Sequence, residues 1–279
     1  MHPSAKTRTT GLLPNLPLLL SVALLGFLSI DRVRDNAHLF WSFLGTGAGL
    51  IGWFVLLRAT GRVRGVEPIP PVRQHYIQGL VQLVLFAYWG YLWVQGGDRP
   101  MYAQAPLVVA QICYLYAFDG LWAWTRGRVW RLASGPMPIV LSTNLFIWFR
   151  DDWFIWQFAM ITAGLLGKEF LRWQKDGRSA HIFNPSGFGL MCAATVLIVT
   201  DTTELTWAKP LSTTIDVPGI YLLLFALGLV VQHFFAVTLM TFAAAVAMVV
   251  SNFVYTEVTG VYLFGSTNLP AAAFLGLML

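Results

Sequence analysis

Long apolar runs separated by short polar connections dominate this chain. They lie at residues 16–30, 38–57, 76–95, 103–125, 136–149, 153–167, 185–200, 218–232, 234–250 and 268–279. Several approach the roughly 20 residues that a helix needs to cross a bilayer. The pattern predicts an all-α, polytopic membrane protein of about ten transmembrane helices, read as one membrane domain over 1–279. Runs five to nine span only 14 to 17 residues. Such lengths fit short or broken helices lining a site, and fit tilt equally well. The last run stops before a full crossing, so it is either a half-helix or incomplete.

Composition agrees with this reading. The chain is 57% hydrophobic and 11% charged, with a mean hydropathy of +0.64. Soluble domains carry about 25% charged residues.

Charge then orients the runs. With the first run leaving from the N-terminal side, thirteen of the 18 basic residues fall in the tail and the even-numbered connections. These include Lys6, Arg58, Arg73, Arg126, Arg131, Lys168 and Arg178. Five fall on the other side: Arg32, Arg34, Arg99, Arg150 and Lys209. Acidic residues do the reverse, with Glu67, Glu169 and Asp176 facing nine others. The positive-inside rule puts the N-terminus and the 168–180 connection in the cytoplasm. The net charge of +5 therefore follows topology and points to no nucleic-acid partner. Leu28-Ser29-Ile30-Asp31 is a poor cleavage site, so the first run is read as an uncleaved span.

Single residues add detail. Gly47, Gly49 and Gly52 match a dinucleotide fingerprint, but no strand precedes them, and the match is rejected. Gly45 and Gly49, four apart, suggest a smooth helix-packing face. Trp41, Trp53, Trp122, Trp124, Trp148, Trp153 and Trp173 sit near run ends and read as interfacial anchors. Cys113 and Cys192 lie inside runs and indicate no disulfide framework. The 58–75 connection, with three prolines, reads as a linker without its own fold. The polar 201–217 connection reads as a cover for the outer mouth of the bundle. His38 and His75 read as interfacial, and His233 with Gln232 as a turn-capping pair. No metal-ligand spacing is visible.

Asp119 is the one acidic residue placed inside a run. It is a candidate proton or sodium carrier, or else an interfacial carboxylate paired with a basic neighbour.

The stretch 168–189 carries the most chemistry. Lys168 and Arg172 lie four apart, on one face of a helix that Gly177 would end, with Glu169 able to pair with Arg172. His181 follows, then Asn184 and Pro185, a strong helix start, and Ser186. Basic side chains, an imidazole and a helix N-terminus converge here. The physical expectation is a site for an anionic or electron-rich planar group: a flavin, a quinone head or a phosphate. The alternative is a positively charged loop followed by an ordinary capped helix.

His181-Ile182-Phe183-Asn184-Pro185-Ser186-Gly187-Phe188-Gly189 resembles a membrane-subunit family. That family includes the B-type membrane component of sodium-translocating NADH:quinone reductase and the D-type membrane component of Rnf electron-transport complexes, with a variant found beside enediyne biosynthesis genes. A second Asn-x-Pro run at 268–270 and the ten-run layout add to the likeness. That echo of 183–191 also suggests two related halves. The resemblance implies flavin-linked electron transfer in a bacterial inner membrane, coupled to sodium or proton movement, beside other membrane or redox subunits. It implies that Lys168, Arg172, His181, Asn184, Pro185 and Ser186 hold FMN or riboflavin noncovalently. Ser186 replaces the family's Ala. The Ser-Gly-Ala-Thr pattern for covalent flavin is absent, and Ser212-Thr213-Thr214 lacks its context. Two other functions are compatible with the same chain: a permease for a small molecule or secondary metabolite, and a membrane scaffold for a biosynthetic complex.

Overall fold

The computed structural model describes residues 13–175, 177–207, 218–235 and 238–260. The chain is all-α, with two small two-stranded sheets. The helices are α1 (Leu16–Gly26), α2 (Asp31–Arg34), α3 (Ala37–Ala59), α4 (Arg73–Leu92), α5 (Pro100–Ala103) and α6 (Ala105–Thr125). They continue with α7 (Met137–Phe146), α8 (Ile155–Phe170), α9 (Pro185–Val199), α10 (Pro218–Phe235) and α11 (Thr238–Thr259). The strands are β1 (Val66–Pro68), β2 (Trp130–Leu132), β3 (Arg172–Lys175) and β4 (Arg178–His181). Nine of the ten apolar runs coincide with helices. The tenth, with its Asn268-x-Pro270 echo, lies outside the described residues, as do Lys6, Ser212, Thr213 and Thr214.

Among the described residues, three helical segments are long and apolar enough to cross a membrane: Ala37–Ala59, Pro100–Thr125 and Thr241–Thr259. Others are shorter, and α7 shows why. The run predicted over 136–149 is helical only to Phe146, because Ile147 turns to extended backbone at φ −134°, ψ 122°. The peptide groups freed by that break find new partners. Phe149 N–H donates to Gln157 Oε1 at 3.0 Å, Trp207 N–H donates to the Trp148 carbonyl at 2.8 Å, and Phe149 bridges to Thr206. Non-helical backbone is tolerated at membrane depth only where protein satisfies it. Next to this break, Gln111 and Asn144 exchange amide hydrogen bonds at 3.2 and 2.6 Å, fully buried between α6 and α7.

The main core lies among α1, α3, α6 and α8. Phe43 stacks on Phe154 at 5.7 Å and meets Phe158 edge-on at 5.6 Å. Trp124 and Trp148, expected at the interface, are buried at 0% and 2% exposure. Trp124 packs beside Phe54, and Trp148 joins Trp93 and Trp207. Trp41 and Trp153 are exposed. Many aliphatic side chains also face outward, including Val55 and Leu56 on α3 and Leu239, Phe242 and Phe253 on α11.

The connections gather at two ends of opposite character. At one, Arg32 grips both Asp151 oxygens through the Nε and Nη2 edge of its guanidinium at 2.8 and 2.6 Å, and Asn36 donates to Asp152 at 2.8 Å. At the other, Arg58 donates to Asn15, β1 pairs in parallel with β2, and Arg128 pairs with Glu169 at 2.6 Å. The 58–75 connection, expected to be a plain linker, thus contributes a strand to this basic end.

Close helix packing uses glycines other than those expected. Nothing lies within 4 Å of a Cβ placed at Gly45 or Gly49, whereas one at Gly47 would strike Leu25 of α1. The tightest approach is α8 on α9. A Cβ at Gly164 would sit 2.6 Å from the Pro185 carbonyl oxygen, and one at Gly189 would sit 2.7 Å from that of Met160. The obstacles are backbone atoms and cannot swing aside. Gly164→Ala is expected to destabilise the protein by about 1–3 kcal/mol, the usual cost of overpacking. Gly49→Ala, in open space, is expected to be neutral or to gain up to about 1 kcal/mol of helix propensity. Denaturation of the two variants in one detergent measures the contrast.

Candidate functional site

The Asn184-Pro185 start of α9 forms as its residues dictate. Asn184 stands at φ −59°, ψ 124°, outside the helix, with Pro185 in the first turn. Its side-chain oxygen accepts from the Ser186 N–H at 3.2 Å and the Ser186 hydroxyl at 2.9 Å. Phe183 stacks on Phe188 at 5.8 Å, clasping the turn from outside the cap. Asn184 and Ser186 line a cavity of about 410 Å³ among α4, α7, α9 and α10. Its walls are mostly apolar, among them Leu85, Phe146, Leu190 and Leu224. Gln78, Gln82 and Ser142 add polar groups. Gln82 donates to the Ser142 hydroxyl, while its own buried carbonyl oxygen has no partner among the described residues.

The segment before this cap differs from the expected helix. α8 stops at Phe170, because Leu171 adopts φ −93°, ψ 80°. Arg172 to His181 then form an antiparallel hairpin, with Gly177 in the turn at φ +72°, a conformation only glycine adopts freely. Lys168 and Arg172 therefore share no helical face. The Arg172 guanidinium reaches across the hairpin to the Ser179 hydroxyl at 2.9 Å and carbonyl at 3.0 Å. Glu169, expected to pair with Arg172, pairs with Arg128 instead.

Lys168 and Arg172 meet Asp119 in the wall of a second cavity, of about 440 Å³, at the basic end. His75, Phe118, Trp122, Arg128 and Trp130 also line it. Asp119 comes from the last two turns of α6, and its Oδ2 accepts from the indole N–H of β2 Trp130 at 2.8 Å. The partner of this carboxylate is thus an indole, where a basic neighbour was one expectation. The six residues read from sequence as one flavin site consequently divide. Lys168 and Arg172 belong to the basic-end cavity and Asn184 and Ser186 to the other, while Pro185 and His181 line neither. The Pro185 carbonyl instead faces Gly164.

Sequence reasoning missed His75, Gln82, Arg128 and Trp130 as lining residues. A polar Gln82 inside an apolar run was the available signal for the first cavity. Nothing local marked Trp130, whose place depends on β1–β2 pairing.

No protein-family model matches the chain, and no curated protein and no solved structure matches it either.

The His181 imidazole lies outside the helices at the hairpin's end. Partial burial holds its pKa below the ordinary value of 6.5, and the nearby charges of Lys168, Arg172 and His75 act in the same direction. A base depressed in the folded state adds stability in full above its unfolded pKa. That contribution is lost as pH falls below about 6.5 toward the folded value. His181 is mostly solvent-exposed, so the effect on stability is small. Its NMR titration midpoint is expected below that of a free imidazole, and Lys168→Met is expected to raise it.

Proposed function

We propose that this chain is a multi-pass membrane protein that serves flavin-linked electron transfer. Its nine described helices of ten or more residues are read as spans or half-spans, with the 268–279 run as a tenth. Three helices of spanning length, together with the outward-facing aliphatic side chains, support the membrane reading. The charge contrast between the two ends supports a cytoplasmic basic end and N-terminus in a bacterial inner membrane. The sequence resemblance to the membrane components of sodium-translocating quinone reductase and Rnf complexes supplies the redox class, and with it neighbouring membrane or redox subunits.

The observation that carries the cofactor reading is the capped start of α9 beside the 410 Å³ cavity. That volume falls within the range of small-molecule sites, which combine apolar walls with a few convergent polar groups. A flavin ring has one apolar edge and one edge that both donates and accepts hydrogen bonds. The Leu and Phe walls suit the first, and Asn184 with the unpartnered Gln82 oxygen suits the second. When bound, the flavin would accept and release electrons singly or in pairs. Riboflavin needs nothing from Lys168 or Arg172, which line the other cavity. For FMN, a phosphate held by Lys168, Arg172 or His181 would have to extend beyond the ring site. Asp119 remains the candidate carrier for a coupled proton or sodium ion.

Purified protein is expected to show the visible absorbance of oxidised flavin, with a released mass of riboflavin or FMN. Asn184→Leu is expected to lose it, and Lys168→Met to retain it if the cofactor is riboflavin. Protein that carries no flavin as isolated, and takes up none from added riboflavin or FMN, would refute the reading.

A further inference from the structure

The basic-end cavity has its own unsatisfied chemistry, and it is independent of the flavin reading. Most charged residues in or beside its wall are already compensated. Arg128 pairs with Glu169 at 2.6 Å, and Arg131 lies 3.7 Å from Glu67. Arg172 has no acidic partner among the described residues, but it is exposed to solvent and its guanidinium donates to Ser179 across the hairpin. Two half-buried groups of opposite sign are left. Asp119 and Lys168 both line the cavity and act on each other electrostatically, yet among the described residues neither is in direct contact with an opposite charge. Charges withdrawn from water are normally paired.

The neutral polar groups show the same deficit. The buried Trp122 Nε1 and His75 Nδ1 atoms have no hydrogen-bond partner among the described residues, and both residues are in the wall. The Ser134 hydroxyl, between the lining residues Ala133 and Gly135, has none there either. An indole N–H can only donate, so Trp122 calls for an acceptor. The remaining wall is aromatic, with Phe118 and Trp122 nearly parallel at an interplanar angle of 6°.

From this arrangement we propose that the cavity binds a small zwitterion with an apolar or aromatic body, of the α-amino-acid class. The ligand's carboxylate answers Lys168. Its ammonium answers the free oxygen of Asp119. Its side chain lies along Phe118 and Trp122. A simple anion would set a second negative charge beside Asp119, and a simple amine would set a second positive charge beside Lys168. The cavity's 440 Å³ exceeds the lower bound of about 300 Å³ typical of ligand pockets.

Three fluorinated probes that share a ring separate these cases: 4-fluorophenylalanine, 3-(4-fluorophenyl)propanoate and 4-fluorophenethylamine. Their binding to the detergent-purified full chain is followed by fluorine NMR. The zwitterion is expected to bind about tenfold or more tightly than either singly charged probe, equivalent to at least one charge-assisted hydrogen bond. Lys168→Met is expected to abolish its advantage over the amine, and Asp119→Asn its advantage over the acid. Equal or tighter binding of the acid or the amine to the unmodified protein would overturn the proposal, and so would absence of binding by all three. The comparison among probes on unmodified protein is decisive even if a variant fails to fold. Because no flavin enters the measurement, failure here leaves the Asn184 cavity untouched, and loss of flavin binding there leaves this result standing.

Discussion

The close crossing of α8 and α9 sets the position of residues in the walls of both cavities. Gly164 and Gly189 let two helix backbones approach until only a hydrogen atom fits between each Cα and the opposing carbonyl. Such backbone-to-backbone contact brings many atoms to van der Waals distance and holds the two helices firmly together. Its consequence is local. The carbonyl that meets Gly164 belongs to Pro185, the first residue of α9. The crossing therefore pins the capped end of α9 and, through it, Asn184 beside the mostly apolar cavity. It also fixes the end of α8, and with it Lys168, in the wall of the other cavity.

Two cavities so close in sequence are kept distinct by the hairpin between α8 and α9. A continuous helix through Arg172 would have carried Lys168 and Arg172 along one face. The chain instead leaves the helix at Leu171, folds back at Gly177 and ties Arg172 to Ser179. The hairpin uses the guanidinium as an internal strut, while the ammonium of Lys168 stays with the cavity. That difference follows from side-chain chemistry. A planar guanidinium donates in several fixed directions and spans strands well, whereas an ammonium acts as a compact charge.

The residues show why some of this was legible in the sequence and some was not. Apolar runs report helices directly, and Asn184-Pro185 reports a helix start through the chemistry of its own two side chains. The charge bias reports which connections share an end, and the contacts among 58–75, 126–132 and 168–181 agree. Periodicity cannot say which face of a helix meets a neighbour. Gly45, Gly47 and Gly49 look alike in sequence, yet of the three only Gly47 meets another helix among the described residues. The same limit applies to tryptophan. Trp124 and Trp153 both sit at run ends, but one is packed into the core and the other is exposed. The Lys168–Arg172 spacing of four is equally compatible with a helix and with a helix that stops between them. The stop is decided by Gly177 and by the pairing of Arg172 with His181 across the hairpin.

The break after α7 shows how the bundle absorbs an interruption in a buried helix. Extended backbone at 147–149 frees peptide groups, each costly if left buried without a partner. The fold meets that demand with a side chain on α8, Gln157, which accepts from the Phe149 N–H, and with the 204–207 segment, which supplies both donor and acceptor. The burial of Gln157, Gln111 and Asn144 at 0% exposure is therefore structural chemistry. Gln157 stands in for helix hydrogen bonds, and Gln111 and Asn144 satisfy each other. The polar atoms left without partners near the two cavities, Gln82 Oε1 at one and Trp122 Nε1 and His75 Nδ1 at the other, have no such substitute among the described residues. The difference separates buried polarity that holds the bundle together from buried polarity whose partner is not among the described residues.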